Sequence, residues 1–248
     1  MVINPIGSGT KMNSESRYET KYRINYSTYF AIKNAIPSYL RPDLHTKCSA
    51  QKRYLVRSLY FDTRDYRFYS EKIHGVSNRI KFRIRTYGSH PADLPDIRVE
   101  MKVRIGKLME KHGAFVTYPE YLRFMKFGIW DSCQDPVLSE FTRYVHKWNL
   151  EPKTLVQYYR EGYESRSTEK IRLTFDHKIS SSSSHVLFPE VIHWRQHRES
   201  QVDLEIKHQN EFPYWMSKII QYYSLKIIPN SKYSNSIEVA TKDLFLAS

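Results

Sequence analysis

The chain has 248 residues, enough for one large domain or two small ones, and 40% of them are hydrophobic, which suffices for a sizeable core. Lysine and arginine number 39 against 26 acidic residues, and the resulting net charge of +13 points to a polyanionic partner: nucleic acid, phosphate ester or membrane headgroup. No stretch approaches about 18 uninterrupted apolar residues and no apolar leader opens the chain, which argues against a membrane span or secretion; Cys48 and Cys133 lack metal-binding or redox spacing, so a reducing cytoplasm is the simplest compartment.

Residues 1–16 are rich in Gly, Ser and Asn without periodicity and read as a flexible tail, leaving 17–248 as one folded domain. Tyr18–Ile24 alternates as a strand, and Ser27 is the expected N-cap of a helix that Pro37 ends. Arg57–Asp62 reads as a second strand running into a turn at Asp62-Thr63. There Asp62 is expected to accept hydrogen bonds from the turn rather than take part in chemistry. Arg79–Tyr87, Ile97–Arg104 and Leu155–Tyr163 are the clearest strands, and Lys170–Asp176 and Gln201–Lys207 follow with the same period of two.

Helical patterns lie at 118–128, 136–148, 213–225 and 235–246, with Pro119, Pro136 and Pro213 near helix starts, where proline is tolerated. Tyr214, Trp215, Tyr222 and Tyr223 fall at helical spacing and read as core. The serine run Ser180–Ser184 reads as a loop tip between strands. Hairpin-like strand pairs interrupted by helices argue for an antiparallel α+β domain rather than repeated βαβ units.

Charge is distributed unusually on these strands. Lys81, Arg83 and Arg85 share one face while Ile80, Phe82 and Ile84 share the other. Glu100, Lys102 and Arg104 oppose Val99, Met101 and Val103; Arg172, Thr174 and Asp176 oppose Ile171, Leu173 and Phe175; Asp203, Glu205 and Lys207 oppose Val202, Leu204 and Ile206. Any one such strand reads as half-exposed. Together they make a broad cationic sheet face, and closing that sheet on itself turns the face into a lined tunnel whose apolar exterior is covered by helices. Burying like charges is unfavourable without counter-charge or ligand, so a bound polyanion would complete the structure. Glu19, Glu100, Asp203 and Glu205 on the same faces offset part of the charge, and some of them could hold a hard divalent cation through oxygen ligands.

Eight segments in order resemble the successive motifs of the VTC domain: Arg17-Tyr-Glu-Thr-Lys-Tyr22, Ser58-Leu-Tyr-Phe-Asp-Thr63, Lys81-Phe-Arg-Ile-Arg-Thr-Tyr87, Val99-Glu-Met-Lys-Val103, Tyr158-Tyr-Arg-Glu-Gly-Tyr163, Arg172-Leu-Thr-Phe-Asp176, Leu204-Glu-Ile-Lys207 and Ser231-Lys-Tyr233. This is the polyphosphate polymerase branch of the triphosphate tunnel metalloenzymes, a CYTH-like superfamily. The resemblance implies an α+β fold, an antiparallel eight-stranded closed β-tunnel with covering helices. It also implies a reaction, transfer of the ATP γ-phosphoryl group onto inorganic polyphosphate with a divalent metal, manganese or magnesium.

Matched motif by motif, Lys21, Arg83, Arg85, Lys102, Arg160 and Lys232 become the catalytic phosphate ligands. Arg104, Tyr158 and Ser231 become further phosphate-binding residues, and Glu205 and Glu19 become metal ligands. ATP and inorganic polyphosphate are then the partners and nucleic acid is not, because the cations face inward; a membrane partner protein for the product stays open, since the chain has no span of its own. Arg17 stands where the wider superfamily often has glutamate, which favours this branch over the thiamine-triphosphatase and adenylate-cyclase branch. Pro229 stands where some polymerases place a lysine three residues before Lys232, and Lys226 is the candidate to compensate. An inorganic or nucleoside triphosphatase and a non-catalytic polyphosphate-binding module are the alternatives. No Walker A loop, GxGxxG turn or GxSxG elbow is present, so nucleotide binding would rely on side-chain cations; His193 and His197 lack a third ligand for zinc.

Overall fold

The computed structural model describes residues 18–93, 96–106, 108–130, 135–166, 170–209 and 212–246. The expected tail at 1–16, Arg17 and Cys133 lie outside the described residues. In chain order the elements are β1 (Tyr18–Asn25), α1 (Tyr26–Ala35), β2 (Leu40–Pro42), α2 (Leu44–Cys48), β3 (Tyr54–Asp62), α3 (Arg67–Ile73), β4 (Arg79–Thr86), β5 (Ile97–Ile105) and β6 (Leu108–Val116). They continue with α4 (Tyr118–Phe127), α5 (Pro136–Trp148), β7 (Glu151–Ser165), β8 (Arg172–Ser182), β9 (Arg195–Gln196), β10 (Gln201–His208), α6 (Tyr214–Tyr222) and α7 (Lys232–Leu246).

The main sheet is antiparallel in the order β1-β10-β8-β7-β3-β4-β5-β6, with β2 and β9 attached beside β7 and β8. The eight-stranded antiparallel tunnel is therefore present, with one difference from the closed form: β1 and β6 end the sheet and are not paired with each other. Side chains draw the two ends together instead, Lys102 of β5 reaching Glu19 of β1 at 3.4 Å. The free edge of β1 is bridged by the chain before α7, where Tyr22 pairs with Ile227 and the Ile228 amide donates to the Lys21 carbonyl at 2.9 Å.

Alternation places the apolar faces outward in two cores. Leu59, Phe61, Ile80, Phe82, Ile84, Val99 and Met101 pack under α4 and α5 through Phe124, Leu138, Phe141 and Tyr144. Tyr22, Leu173, Phe175, Leu204 and Ile206 pack under α1 and α6 through Tyr29, Ile32 and Met216. A smaller inner cluster, Val56, Tyr60, Val156, Tyr158, Tyr233 and Ile237, seats α7 against the inward face of β3 and β7. Gly162 is needed where α2 docks on β7: a Cβ there would lie 2.0 Å from the Asp43 carboxylate, which caps α2 and holds Arg172 at 3.0 Å.

Several local expectations need correction. Asn25 rather than Ser27 caps α1, accepting from the Thr28 amide at 2.8 Å. β8 continues to Ser182, so most of the serine run pairs with β7 instead of forming a loop tip. The helix expected from 213 to 225 spans 214–222, with Tyr214 and Tyr222 exposed rather than in the core, while Trp215 stacks on Tyr39 at 4.3 Å. α7 begins at Lys232, three residues before the expected start, which brings its first turn to the tunnel. Among the described residues no helix is long and apolar enough to cross a membrane.

Candidate functional site

The inward strand faces and the start of α7 enclose a cavity of about 360 Å³ lined by eleven lysines and arginines against three carboxylates, Glu19, Glu100 and Glu205. The residues matched as phosphate or metal ligands line it except Arg104, whose Nε donates to the Gly106 carbonyl at 2.9 Å; Asp203, a further carboxylate of the charged faces, is not in the lining and pairs with Arg23 at 3.6 Å. Lys81, Arg172 and Lys207, read from the sequence on the charged faces, also line it, and the structure adds Arg98 and Lys111 to the cationic wall. Lys111 lies on β6, a strand the alternation did not reveal. Lys226 is exposed and lies outside the lining.

One group of cations converges on Glu100, a carboxylate only 1% exposed. Arg83 at 2.5 Å and Arg85 at 3.8 Å hold one of its oxygens, and Arg98 at 3.6 Å and Lys111 hold the other. Gly113 sits directly across from Glu100, and a Cβ at that position would come within 2.8 Å of Arg98, so its absence leaves room for the guanidinium. Burial alone would push Glu100 up, but Arg83, Arg85 and Lys111 outweigh it and hold the carboxyl far below the ordinary range. Burial brings the Lys111 amine down to about 8, against the pull of Glu100.

On the β1–β10 side, Glu19 and Glu205 share two lysines. Lys21 lies 2.8 Å from Glu19 and 3.8 Å from Glu205; Lys207 lies 3.7 Å from Glu19 and 3.0 Å from Glu205. Burial and the neighbouring Glu205 raise the Glu19 carboxyl, yet Lys21, Lys102 and Lys207 together bring it to about 2. Glu205 is likewise held well below the ordinary range, since Lys207, Lys21 and Arg160 overcome its burial.

Arg160 forms a two-pronged pair with Asp176 at 2.6 and 2.8 Å, and Lys232 reaches the same carboxylate at 2.6 Å. The Tyr158 ring lies beneath both cations, 5.2 Å from the Arg160 guanidinium and 4.6 Å from the Lys232 amine. Asp62 is fully buried and accepts from the Phe68 and Tyr69 amides of α3 and from the Tyr233 hydroxyl at 2.5 Å, which fixes the first turn of α7 against β3.

Glu19 and Glu205 are the carboxylates that could hold a divalent cation here. The two carboxylates sit close enough to share both lysines, and hard cations such as magnesium take one or two protein carboxylates and complete their shell with phosphate oxygens and water. No group of three or more His, Cys, Asp or Glu among the described residues could hold a metal without such help. His197, 2.9 Å from the Ser181 hydroxyl, belongs to the β8–β9 packing.

A family model described as the VTC domain matches residues 16–241. No curated protein sequence matches the chain significantly. Among solved structures, a candidate adenylate cyclase from Bacillus halodurans aligns with a TM-score of 0.54 at 13% identity, over 89% of this chain and 96% of that one. A protein from Pyrococcus horikoshii gives 0.46 at 10% identity, over 90% of this chain and 98% of that one. The likeness to the Bacillus structure is one of fold.

Proposed function

The chain belongs to the VTC domain family, and from that membership we propose that it is a metal-dependent phosphotransferase that moves the γ-phosphoryl group of ATP onto inorganic polyphosphate. The carrying observation is the cavity wall, where eleven cations meet three lining carboxylates with Asp176 and Asp43 behind them, an excess of positive charge that an anionic ligand would neutralise. Phosphoryl transfer asks little covalent chemistry of a protein and depends on in-line positioning and on stabilising charge at the phosphoryl oxygens.

In this reading Arg83, Arg85 and Arg160 hold phosphoryl oxygens with planar, pre-oriented forks. Lys21, Lys102 and Lys232 add point charge. Tyr158 orients Arg85, Arg160 and Lys232, Ser231 adds a hydroxyl to the phosphate site, and Arg104 has no part. Glu205 and Glu19 would hold the divalent cation, manganese or magnesium, which would supply Lewis-acid stabilisation of the charge on the transferred phosphoryl group. Ligand and metal together take over the counter-charges that the carboxylates and lysines now supply to one another.

Purified protein incubated with ATP, manganese and a short polyphosphate primer should lengthen the primer on a gel, and Arg83→Ala and Glu205→Ala should not. Release of orthophosphate alone would replace the polymerase with a triphosphatase. Tight polyphosphate binding without turnover under any metal would leave a binding module.

A further inference from the structure

Among the described cavity-lining cations, Lys81 alone has no carboxylate partner. Lys21, Lys102 and Lys207 use Glu19 or Glu205; Arg83, Arg85, Arg98 and Lys111 use Glu100; Arg160 and Lys232 use Asp176; Arg172 uses Asp43. The Lys81 amine instead donates at 3.0 Å to the hydroxyl of Ser231. Ser231 caps α7: its hydroxyl also accepts from the Ser234 amide at 3.3 Å, and its carbonyl accepts from the Asn235 amide at 2.9 Å. The α7 N-terminus, with its partial positive charge, and the Lys232 amine therefore face the same end of the cavity.

Burial, then Lys21 and Lys102, bring the Lys81 amine down from 10.5 to about 7. An amine held among like charges with only a hydroxyl for company is a position that a phosphoryl oxygen would relieve.

Pro229 lies two residues before Ser231, directly after Ile228, whose amide is the last to pair with the edge of β1. A proline ends edge pairing without leaving a donor unsatisfied and turns the chain into α7. The backbone there is set by the edge, so the side chain three residues before Lys232 contributes no charge to the cavity. Lys226, earlier in the same segment, is exposed and does not line the cavity either.

We propose that Lys81, with Ser231 and the start of α7, forms a phosphoryl-binding subsite at the α7 end of the cavity. This rests on the phosphate-chain reading above and assigns one further group to it. Lys81 stands one two-residue step along β4 from Arg83, about 6.6 Å, so the two cations address different phosphoryl groups of one extended chain.

The test is calorimetric titration of the full chain with inorganic tripolyphosphate in chelator, for wild type and for Lys81→Met, Lys81→Arg, Lys226→Ala and Arg83→Ala, with thermal melts of each. Lys81→Met should weaken binding on the order of 10- to 100-fold, the range expected for one charge-assisted hydrogen bond, while raising the ligand-free melting temperature because a half-buried charge without a carboxylate partner is gone. Lys81→Arg should retain most of the affinity and Lys226→Ala all of it. Wild-type affinity in Lys81→Met beside a loss in Arg83→Ala would overturn the subsite and leave the phosphate reading standing. A lowered melting temperature in Lys81→Met with affinity restored by none of the variants would make Lys81 structural and also overturn it. No binding by the wild type would remove both.

Discussion

The Glu100 cluster and the Glu19–Glu205 cluster are built from the same residue types and differ in ratio. Around Glu100, four cations share one carboxylate; on the β1–β10 side, two carboxylates share Lys21 and Lys207, with Lys102 added to Glu19. The first arrangement leaves surplus positive charge for an anion. The second leaves oxygen atoms whose lysine partners can be exchanged for a metal. On the proposed reading the unlike walls become an anion side and a cation side, the two that metal-assisted phosphoryl transfer uses.

The largest expected effect tests the surplus side. Glu100→Gln leaves Arg83, Arg85, Arg98 and Lys111 without counter-charge, and removing one partner of a buried ion pair costs about 3–5 kcal/mol. Chemical denaturation should show that loss, and saturating tripolyphosphate should restore part of it, because the ligand brings the missing negative charge. A loss that ligand does not reduce would mean that the cluster is purely structural.

Next in size, Arg83→Ala should lower the rate of primer extension by about 10²–10³, the usual range for removing one preorganised donor to transition-state oxygens. Tyr233→Phe breaks the hydrogen bond to Asp62 and should destabilise the fold by about 1–3 kcal/mol, with a modest fall in activity as the first turn of α7 loosens. Arg104→Ala, outside the cavity, should change neither activity nor stability beyond about 0.5 kcal/mol.

The two sides should also separate by pH. Glu19 has a folded value of about 2 against 4.5 unfolded, so the stability it contributes is present above pH 4.5 and is lost as the pH falls toward 2. Lys81 works the other way. With a folded value of about 7 against 10.5, the unfolded chain binds the extra proton between those limits and stability rises with pH there. Tripolyphosphate affinity should accordingly fall from pH 6 to 8.5 more steeply in wild type than in Lys81→Arg, whose guanidinium keeps its proton. Equal slopes would remove Lys81 from the anion side.

Much of this is legible in the sequence because a period of two on five strands carries both the apolar exterior and the charged interior. The ratio of charges around each carboxylate is not, because it depends on which strands become neighbours. Arg83 and Glu100 are opposite each other only through the β4–β5 register, and Glu19 meets Lys207 only through β1–β10. Leu108–Val116 does not read as a strand because β6 is an edge: Leu108, Met109 and Phe115 are exposed and Gly113 interrupts the pattern. Lys111 is hidden with it. Arg104 reads as a ligand because it shares a face with Lys102, yet it sits at the end of β5 beside the turn to β6, beyond the cavity. Lys81 reads on the right face, but its isolation is visible only once every other cation lining the cavity among the described residues has found its carboxylate.

The division between the two sides is tested most directly by tripolyphosphate affinity of wild type, Arg83→Ala and Glu205→Ala, each measured with chelator and with manganese. Arg83→Ala should bind weakly in both conditions, whereas Glu205→Ala should match wild type in chelator and fail to gain affinity from manganese. Loss of metal-free binding in Glu205→Ala, or a full manganese gain in that variant, would contradict the account.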